Sequence, residues 1–477
     1  MRASVRLVGR TRVAVGVVAA AVVCAGAAAA ASAVLAGTRA VGPSTQELTI
    51  TASDGTKLAC GLVLPGGSPP TGGWAGVLLF HGLGQSHAFM ETIAQAALAP
   101  AGLASLACDA RGTGASGGTF GLDGPQEVQD ARDLFTWLAA RNDVSDTQIG
   151  AVGLSLGGGE VWNAAVAGVP FKAIVPAIAW TDLGAALNPD GVPKAGEVDQ
   201  LAKDVPPAQW DSSLAQTRQD LLAGNVTAAV KSTEAARSSR AQLRSLHVPT
   251  FILQGRHDFL FDLDQALAAY RLLPGPKRLY LGDLGHPPAT NPTLEQPEYL
   301  AEVVAWLREY LAGGPKLGSG VQLAHDPFDG TPSFYKGIPR TRHMSVNLPG
   351  RTTLTKPATV SRSVRLTGGP LETFGDSSVV VRYSGAQQWG DLVATVAAKG
   401  SSTPVTYGAA PVTRKAGVLR IPLSDQAVLL PRGKRIVVTV GGQTADGVYG
   451  PPAAGAGSIV IRGLTLNLSL LNRAVSR

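Results

Sequence analysis

Between Trp74 and Leu311 the chain alternates short, unbroken apolar runs with segments of helical periodicity, and this rhythm limits its fold more than any other feature. Trp74–Phe80, Ala104–Cys108, Gln148–Leu154, Phe171–Ala179, Thr250–Gln254 and Arg278–Leu281 read as strands. Ala88–Ala99, Gln126–Arg141, Gly158–Ala167, Leu263–Leu273 and Pro297–Leu311 read as helices; in the second of these, Val128, Ala131, Leu134, Phe135 and Leu138 recur at helical spacing. Strands that are apolar on both faces must be covered on both, so the expected class is α/β, a parallel sheet between two helical layers. Glu47–Thr51 and Lys57–Leu64 add a hairpin around Ser53-Asp54-Gly55. The rhythm breaks over residues 180–246, where a polar, Ala-rich stretch (Ser212–Leu222, Val226–Leu246) predicts a small helical cap inserted over the sheet edge.

The first unit therefore spans residues 45–313. Residues 314–350 read as a loop-rich linker. From residue 351 to 477 the texture is all β: Val360–Leu366, Ser378–Tyr383, Leu392–Ala397, Gly417–Pro422, Arg435–Val440 and Ser458–Leu468, separated by turn residues. Such spacing predicts a β-sandwich of the jelly-roll kind. Its flat rings (Tyr383, Trp389, Tyr407 and Tyr449) are too sparse for a carbohydrate platform, and a packing role is expected for this unit.

An apolar content of 45% against 16% charged residues excludes a disordered chain. The net charge of +7 is unevenly placed: residues 41–314 hold 17 Lys and Arg against 27 Asp and Glu, and residues 315–477 hold 19 against 7. The basic half lacks helices and aromatic platforms, so no nucleic-acid partner is expected. Three cysteines exclude a multi-cysteine metal site, and no metal or organic cofactor is expected. Cys60 and Cys108 both fall in strand-like segments, which leaves open one bridge or two buried thiols.

Residues 1–40 carry five arginines and no acid. Met1–Arg12 is basic, and Val13–Gly37 is uncharged and rich in Ala and Val, followed by small residues. This three-part pattern predicts a secretory signal peptide, with an uncleaved membrane anchor as the alternative. Either fate places the body outside the cytoplasmic membrane: secreted if the segment is cleaved, or on the outer face and associated with membrane or envelope through the N-terminus if it is kept.

The chemistry is concentrated in Gly153-Leu154-Ser155-Leu156-Gly157, which leaves an apolar strand and opens a helix. Glycines two residues to either side permit a turn tight enough to expose the serine hydroxyl. The Leu156 amide then lies at a helix N-terminus, where positive potential can hold an oxyanion. A serine hydroxyl needs a base to take its proton and an acid to orient that base. Where such a serine sits on a strand-to-helix turn, the chain order is serine, acid, histidine. Asp258 follows the strand Thr250–Gln254, and His286 follows Arg278–Leu281, so both reach the rim that carries Ser155. Asp262 and Asp264 look like helix-start residues, and His257 adjoins the proposed acid. His81-Gly82-Leu83-Gly84 closes another strand, and the Leu83 amide is the expected second oxyanion donor, with His81 structural. The run Asp109-Ala110-Arg111-Gly112-Thr113-Gly114 lacks the Lys-Ser/Thr pair of a phosphate loop; Asp109 and Arg111 are expected to pin a loop.

Gly-Leu-Ser-Leu-Gly-Gly (153–158), Asp-Ala-Arg-Gly-Thr-Gly-Ala-Ser-Gly (109–117) and Gly-Arg-His-Asp (255–258) together resemble the X-prolyl dipeptidyl peptidase and cocaine esterase group of α/β-hydrolases. The stretch Leu419–Val440 is similar to that family's jelly-roll segment, so the resemblance runs over about residues 45–475. It implies Ser155 as nucleophile, Asp258 as acid and His286 as base, acting on a small peptide or ester through an acyl-enzyme. The chain departs from cocaine-esterase-like relatives in having no tyrosine in the oxyanion loop. A dipeptidyl peptidase needs an acid for the substrate ammonium; Asp182 after Trp180 is one candidate, and the two are expected to bind substrate. The expected activity is an exported serine hydrolase resembling X-Pro dipeptidyl peptidases. The alternatives are a carboxylic ester hydrolase, an acyltransferase and a non-catalytic envelope-binding module.

Overall fold

The computed structural model describes residues 42–472, apart from 207–208, 356–357, 368, 387–388, 445–446 and 450–456. The basic N-terminus and the Ala/Val run read as a signal lie outside the described residues. None of the described helices is long and apolar enough to cross a membrane.

The hairpin β1 (Ser44–Thr51) and β2 (Lys57–Leu64) leads into β3 (Trp74–Phe80), α1 (His87–Ile93) and β4 (Leu103–Cys108). Then come α2 (Pro125–Ala139), β5 (Val144–Leu154), α3 (Leu156–Val166) and β6 (Ile174–Ala177). The cap holds α4 (Leu183–Leu187), α5 (Ala195–Asp204), α6 (Ser212–Leu222) and α7 (Ala228–Ala235). After it follow β7 (Thr250–Gly255), α8 (Leu263–Leu272), β8 (Lys277–Gly282) and α9 (Gln296–Leu311). The strand order is β1-β2-β4-β3-β5-β6-β7-β8, continued by β9 (Gly320–Leu323) and β10 (Ser333–Tyr335). From β4 through β9 every pairing is parallel, while β1, β2 and β10 run antiparallel to their neighbours. One buried cluster packs α2, α3 and α8 on one face of the sheet, and another packs α1 and α9 on the opposite face. This is the α/β-hydrolase sheet.

Residues 314–350 are not a linker. Two of their segments extend the sheet as β9 and β10, and β11 (Thr341–Thr355) already belongs to the next unit. That unit begins at Thr341 rather than 351. It adds β12 (Val360–Arg365), β13 (Leu371–Glu372), β14 (Ser377–Ser384), β15 (Asp391–Ala398) and β16 (Pro404–Pro411). β17 (Ala416–Leu423), β18 (Leu429–Leu430), β19 (Arg435–Gly441) and β20 (Ser458–Leu471) complete it. Two four-stranded antiparallel sheets, β11-β20-β14-β17 and β12-β19-β15-β16, enclose one apolar core, as in a β-sandwich. Tyr383, Trp389, Tyr407 and Tyr449 are all buried, so their rings pack rather than face solvent.

Cys60 and Cys108 stand opposite each other in the antiparallel β2/β4 pair and form a disulfide. The bridge closes a loop of 48 residues. Loop entropy alone predicts that replacing both cysteines by alanine removes about 4 kcal/mol of stability. Urea unfolding at pH 7 measures it, and a change below about 1 kcal/mol would show that the unfolded chain is already constrained there.

Candidate active site

Ser155 sits between β5 and α3 with φ +54° and ψ −111°, a strained backbone that lifts its side chain off the sheet. The flanking glycines answer to close approach: a Cβ on Gly153 would come within 1.9 Å of the Gly157 carbonyl oxygen, and one on Gly157 within 2.2 Å of that of Phe80. The turn is fixed by the Ser155 amide donating to Ala177 and the Gly157 amide to His81, at 2.9 and 3.0 Å.

The parallel register brings the ends of β5, β7 and β8 to one rim, and the loops that follow carry three distant side chains together. Ser155 Oγ lies 2.8 Å from His286 Nε2. His286 Nδ1 lies 2.8 Å from Asp258 Oδ2. Asp258 is fully buried, and the backbone amides of Leu260, Phe261 and His286 all donate to its carboxylate. With Nδ1–H given to Asp258, Nε2 is left to accept the serine proton. Burial pulls the His286 pKa down, but the charge and hydrogen bond of Asp258 outweigh it and raise the pKa above the ordinary value. Phe261 meets the imidazole edge-on at 5.1 Å. Asn291, with φ +50°, accepts from the Gly285 amide at 2.9 Å and donates to its carbonyl at 3.0 Å, bracing the turn that presents His286.

The rivals are otherwise engaged. His257 donates to the Pro404 carbonyl at 3.1 Å, and burial takes its pKa down to about 4. Asp264 pairs with Arg240 at 2.8 Å, and Asp262 accepts from the Asp425 amide at 3.2 Å. His81 is buried, with Nδ1 donating to Gly82 and Nε2 accepting from Ala110, so it shapes its own loop. The Gly82 amide is taken by Gln85 at 2.9 Å, while Leu83 lines the cavity above Ser155. Leu156 is the first residue of α3, and its amide has no helical acceptor. Arg111 forks onto Asp130 at 2.6 and 2.7 Å and reaches Asp54 at 2.8 Å, while Asp109 accepts from the His87 amide. The Asp-x-Arg-Gly run thus ties hairpin, α1 and α2 together.

Trp180 and Asp182, expected to bind substrate, do not line the cavity. The chain turns inward after β6: the Trp180 indole donates to the Arg237 carbonyl at 2.7 Å and packs on Phe261, and Asp182 caps α4 by accepting from Ala185. Trp180 supports the ring that braces His286 instead. The cap residues that do line the cavity lie on α5: Glu197, Gln200, Leu201 and Asp204. Their spacing is one stripe of a helix, but α5 follows Gly191-Val192-Pro193 without a side-chain cap, so no start signal marks it in the sequence.

The C-terminal unit reaches the acid loop directly. Gln426 donates to the Asp258 carbonyl at 2.9 Å. Arg256 donates to the carbonyls of Ala427 and Ala324 and pairs with Glu372, with both charged side chains almost wholly buried. Phe259 packs on Tyr407 with ring centroids 4.3 Å apart. Among the described residues, Glu47, His87 and Glu91 could offer a cation three ligand atoms within 4.8 Å of one another; His87 there bridges Glu47 and Asp109.

Residues 54–288 match the family described as X-Pro dipeptidyl-peptidase (S15 family). No curated protein matches the chain. Three solved structures share its fold over nearly the whole length. A CocE/NonD family hydrolase from Staphylococcus aureus is 14% identical with a TM-score of 0.68, over 90% of this chain and 93% of that one. An aminopeptidase from a marine-sediment Thaumarchaeota archaeon is 14% identical with a TM-score of 0.65, over 93% and 99%. An α-amino acid ester hydrolase is 13% identical with a TM-score of 0.67, over 92% and 98%. At these identities the likeness is one of fold.

Proposed function

We propose that this chain, whose residues 54–288 match the family described as X-Pro dipeptidyl-peptidase (S15 family), is an exported serine hydrolase that cleaves carboxylic esters or amides through an acyl-enzyme. The observation that carries the reading is the chain of two 2.8 Å contacts, Ser155 to His286 and His286 to Asp258. Ser155 Oγ attacks the carbonyl carbon while His286 takes its proton. The amides of Leu83 and Leu156 hold the oxyanion, and losing one such donor costs about 10²–10³ in kcat. His286 then protonates the departing alcohol or amine, and water resolves the acyl-enzyme by the same route in reverse. Asp258 keeps the imidazole in the tautomer that both steps need.

Esters are the first reading, because the cavity beside Ser155 is walled mainly by apolar side chains. A dipeptidyl-peptidase is the second, favoured by Glu197 and Asp204 at the cap side of the cavity, where an ammonium group would find charge. Xaa-Pro anilides against short-chain aryl esters separate the two. A fluorophosphonate probe tests the chemistry beneath both: labelling of the wild type that is lost in Ser155→Ala supports it. An unlabelled wild type would leave a binding module. Product analysis with alcohol acceptors detects acyl transfer. Export is supported by the N-terminal pattern and by a disulfide in the sheet, since such bridges persist in oxidising compartments.

The raised pKa of His286 sets the pH profile. The base must be neutral, so kcat/KM should fall as pH drops through that pKa, with a midpoint above the ordinary histidine value of about 6.5. Asp258→Asn removes the charge that raises it and should move the acid limb lower. A wild-type midpoint below 6 would rule out the Asp258–His286 coupling.

A further inference from the structure

Catalysis at Ser155 does not require the depth of the space beside it. The cavity of about 260 Å³ enters between the sheet and the α1/α9 layer instead of stopping under the cap. Its floor has two cross-strand rows. Leu154, Ala177 and Leu253 pair near the rim, and Leu79, Val152 and Val175 pair one pleat deeper. Val152 lies three residues before Ser155, about 10 Å down at 3.3 Å per residue. Opposite this floor, α9 presents Gln296, Tyr299, Leu300 and Val303 in a single helical stripe, and α1 presents Phe89 and Ile93. The two carboxylates of the lining, Glu197 and Asp204, are both on α5 of the cap. Protein interiors hold few voids larger than a water molecule, and an unfilled apolar void destabilises in proportion to its volume. Apolar cavities stay dry and take apolar guests.

Resting on the assignment of Ser155 as nucleophile, we infer that this cavity is an acyl-chain pocket and that the substrates are esters of aliphatic carboxylic acids of about eight carbons. The ~10 Å of depth from the level of Ser155 to Val152 takes an extended chain of about eight carbons. A chain reaching ~10 Å below the carbonyl matches the depth better than a single ring. The bond between Ser155 Oγ and the acyl carbon forms as the ester C–O bond breaks, and the alcohol leaves with the proton carried by His286. Water then adds, the acyl–Oγ bond breaks, and the free fatty acid departs as the serine proton is restored.

The experiment is a series of p-nitrophenyl esters from acetate to myristate, measured with the full chain. Each added methylene should raise kcat/KM about fourfold up to about eight carbons, after which the gain stops. Val303→Phe fills the deep end and should shift the optimum to shorter chains, with the loss growing as the acyl chain lengthens. Leu300→Phe, on a half-buried position of the same stripe, repeats the test if the first variant does not fold. Octanoate should raise the Tm of the wild type and not that of Val303→Phe, a readout independent of turnover. Turnover of acetate with a flat chain-length profile, or a preference for benzoyl esters, overturns the pocket and leaves the serine chemistry standing. No ester turnover together with no fluorophosphonate labelling overturns the assignment beneath it.

Discussion

Ser155→Ala should lower kcat by about 10⁶-fold, with no loss of stability, because the hydroxyl is the atom that bonds the acyl carbon and nothing nearby replaces it. His286→Ala should fall nearly as far, and the double variant no further, since the two act as one unit. Asp258→Asn should cost about 10⁴, the penalty for an imidazole held in the wrong tautomer. Rates corrected by active-site titration exclude contamination. A loss below tenfold in Ser155→Ala would mean that another group does the chemistry, whatever the 2.8 Å contact to His286 suggests.

Arg256→Ala should unfold the acid loop and the domain junction together. Its guanidinium is buried, donates to the carbonyls of Ala427 and Ala324, and pairs with Glu372 of the sandwich. Breaking a buried ion pair from one side leaves an uncompensated charge and costs about 3–5 kcal/mol. Asp258 stands two residues on, with its own carbonyl held by Gln426, so kcat should drop at least tenfold in the molecules that remain folded. Glu372→Gln keeps a hydrogen-bond acceptor and should lose less of both. Urea midpoints and kcat for the two variants decide it. A stable Arg256→Ala enzyme with unchanged kcat would reduce the junction to passive packing.

The central sheet and the serine turn were legible because their signals are local. Unbroken apolar runs mark strands buried on both faces, and a glycine two residues either side of Ser155 marks a turn with no room for Cβ atoms. Asp258 and His286 could be placed because strand ends in a parallel sheet share a rim. What escaped is what only tertiary pairing defines. β9 and β10 are four and three residues long, too short for any period to show. β11 is mostly exposed and carries a bulge around Pro349–Thr352, so it reads as loop until β20 pairs with it. Asp182 answers to the need for an acid near a substrate ammonium, but sequence does not show where its side chain goes, and the fold spends its carboxylate on a helix cap. Two cysteines in separate strands are compatible with a bridge or with two thiols, and only the β2/β4 register fixes the disulfide.

The hold of the sandwich on the acid loop has a consequence for biosynthesis. Gln426 lies 168 residues beyond the Asp258 carbonyl that it grips. A growing polypeptide that has already emitted serine, acid and histidine still lacks the clasp that fixes the middle one. Hydrolytic competence should therefore appear abruptly, once the sandwich of the exported chain has docked, and a product truncated ahead of Glu372 should be inert rather than weakly active.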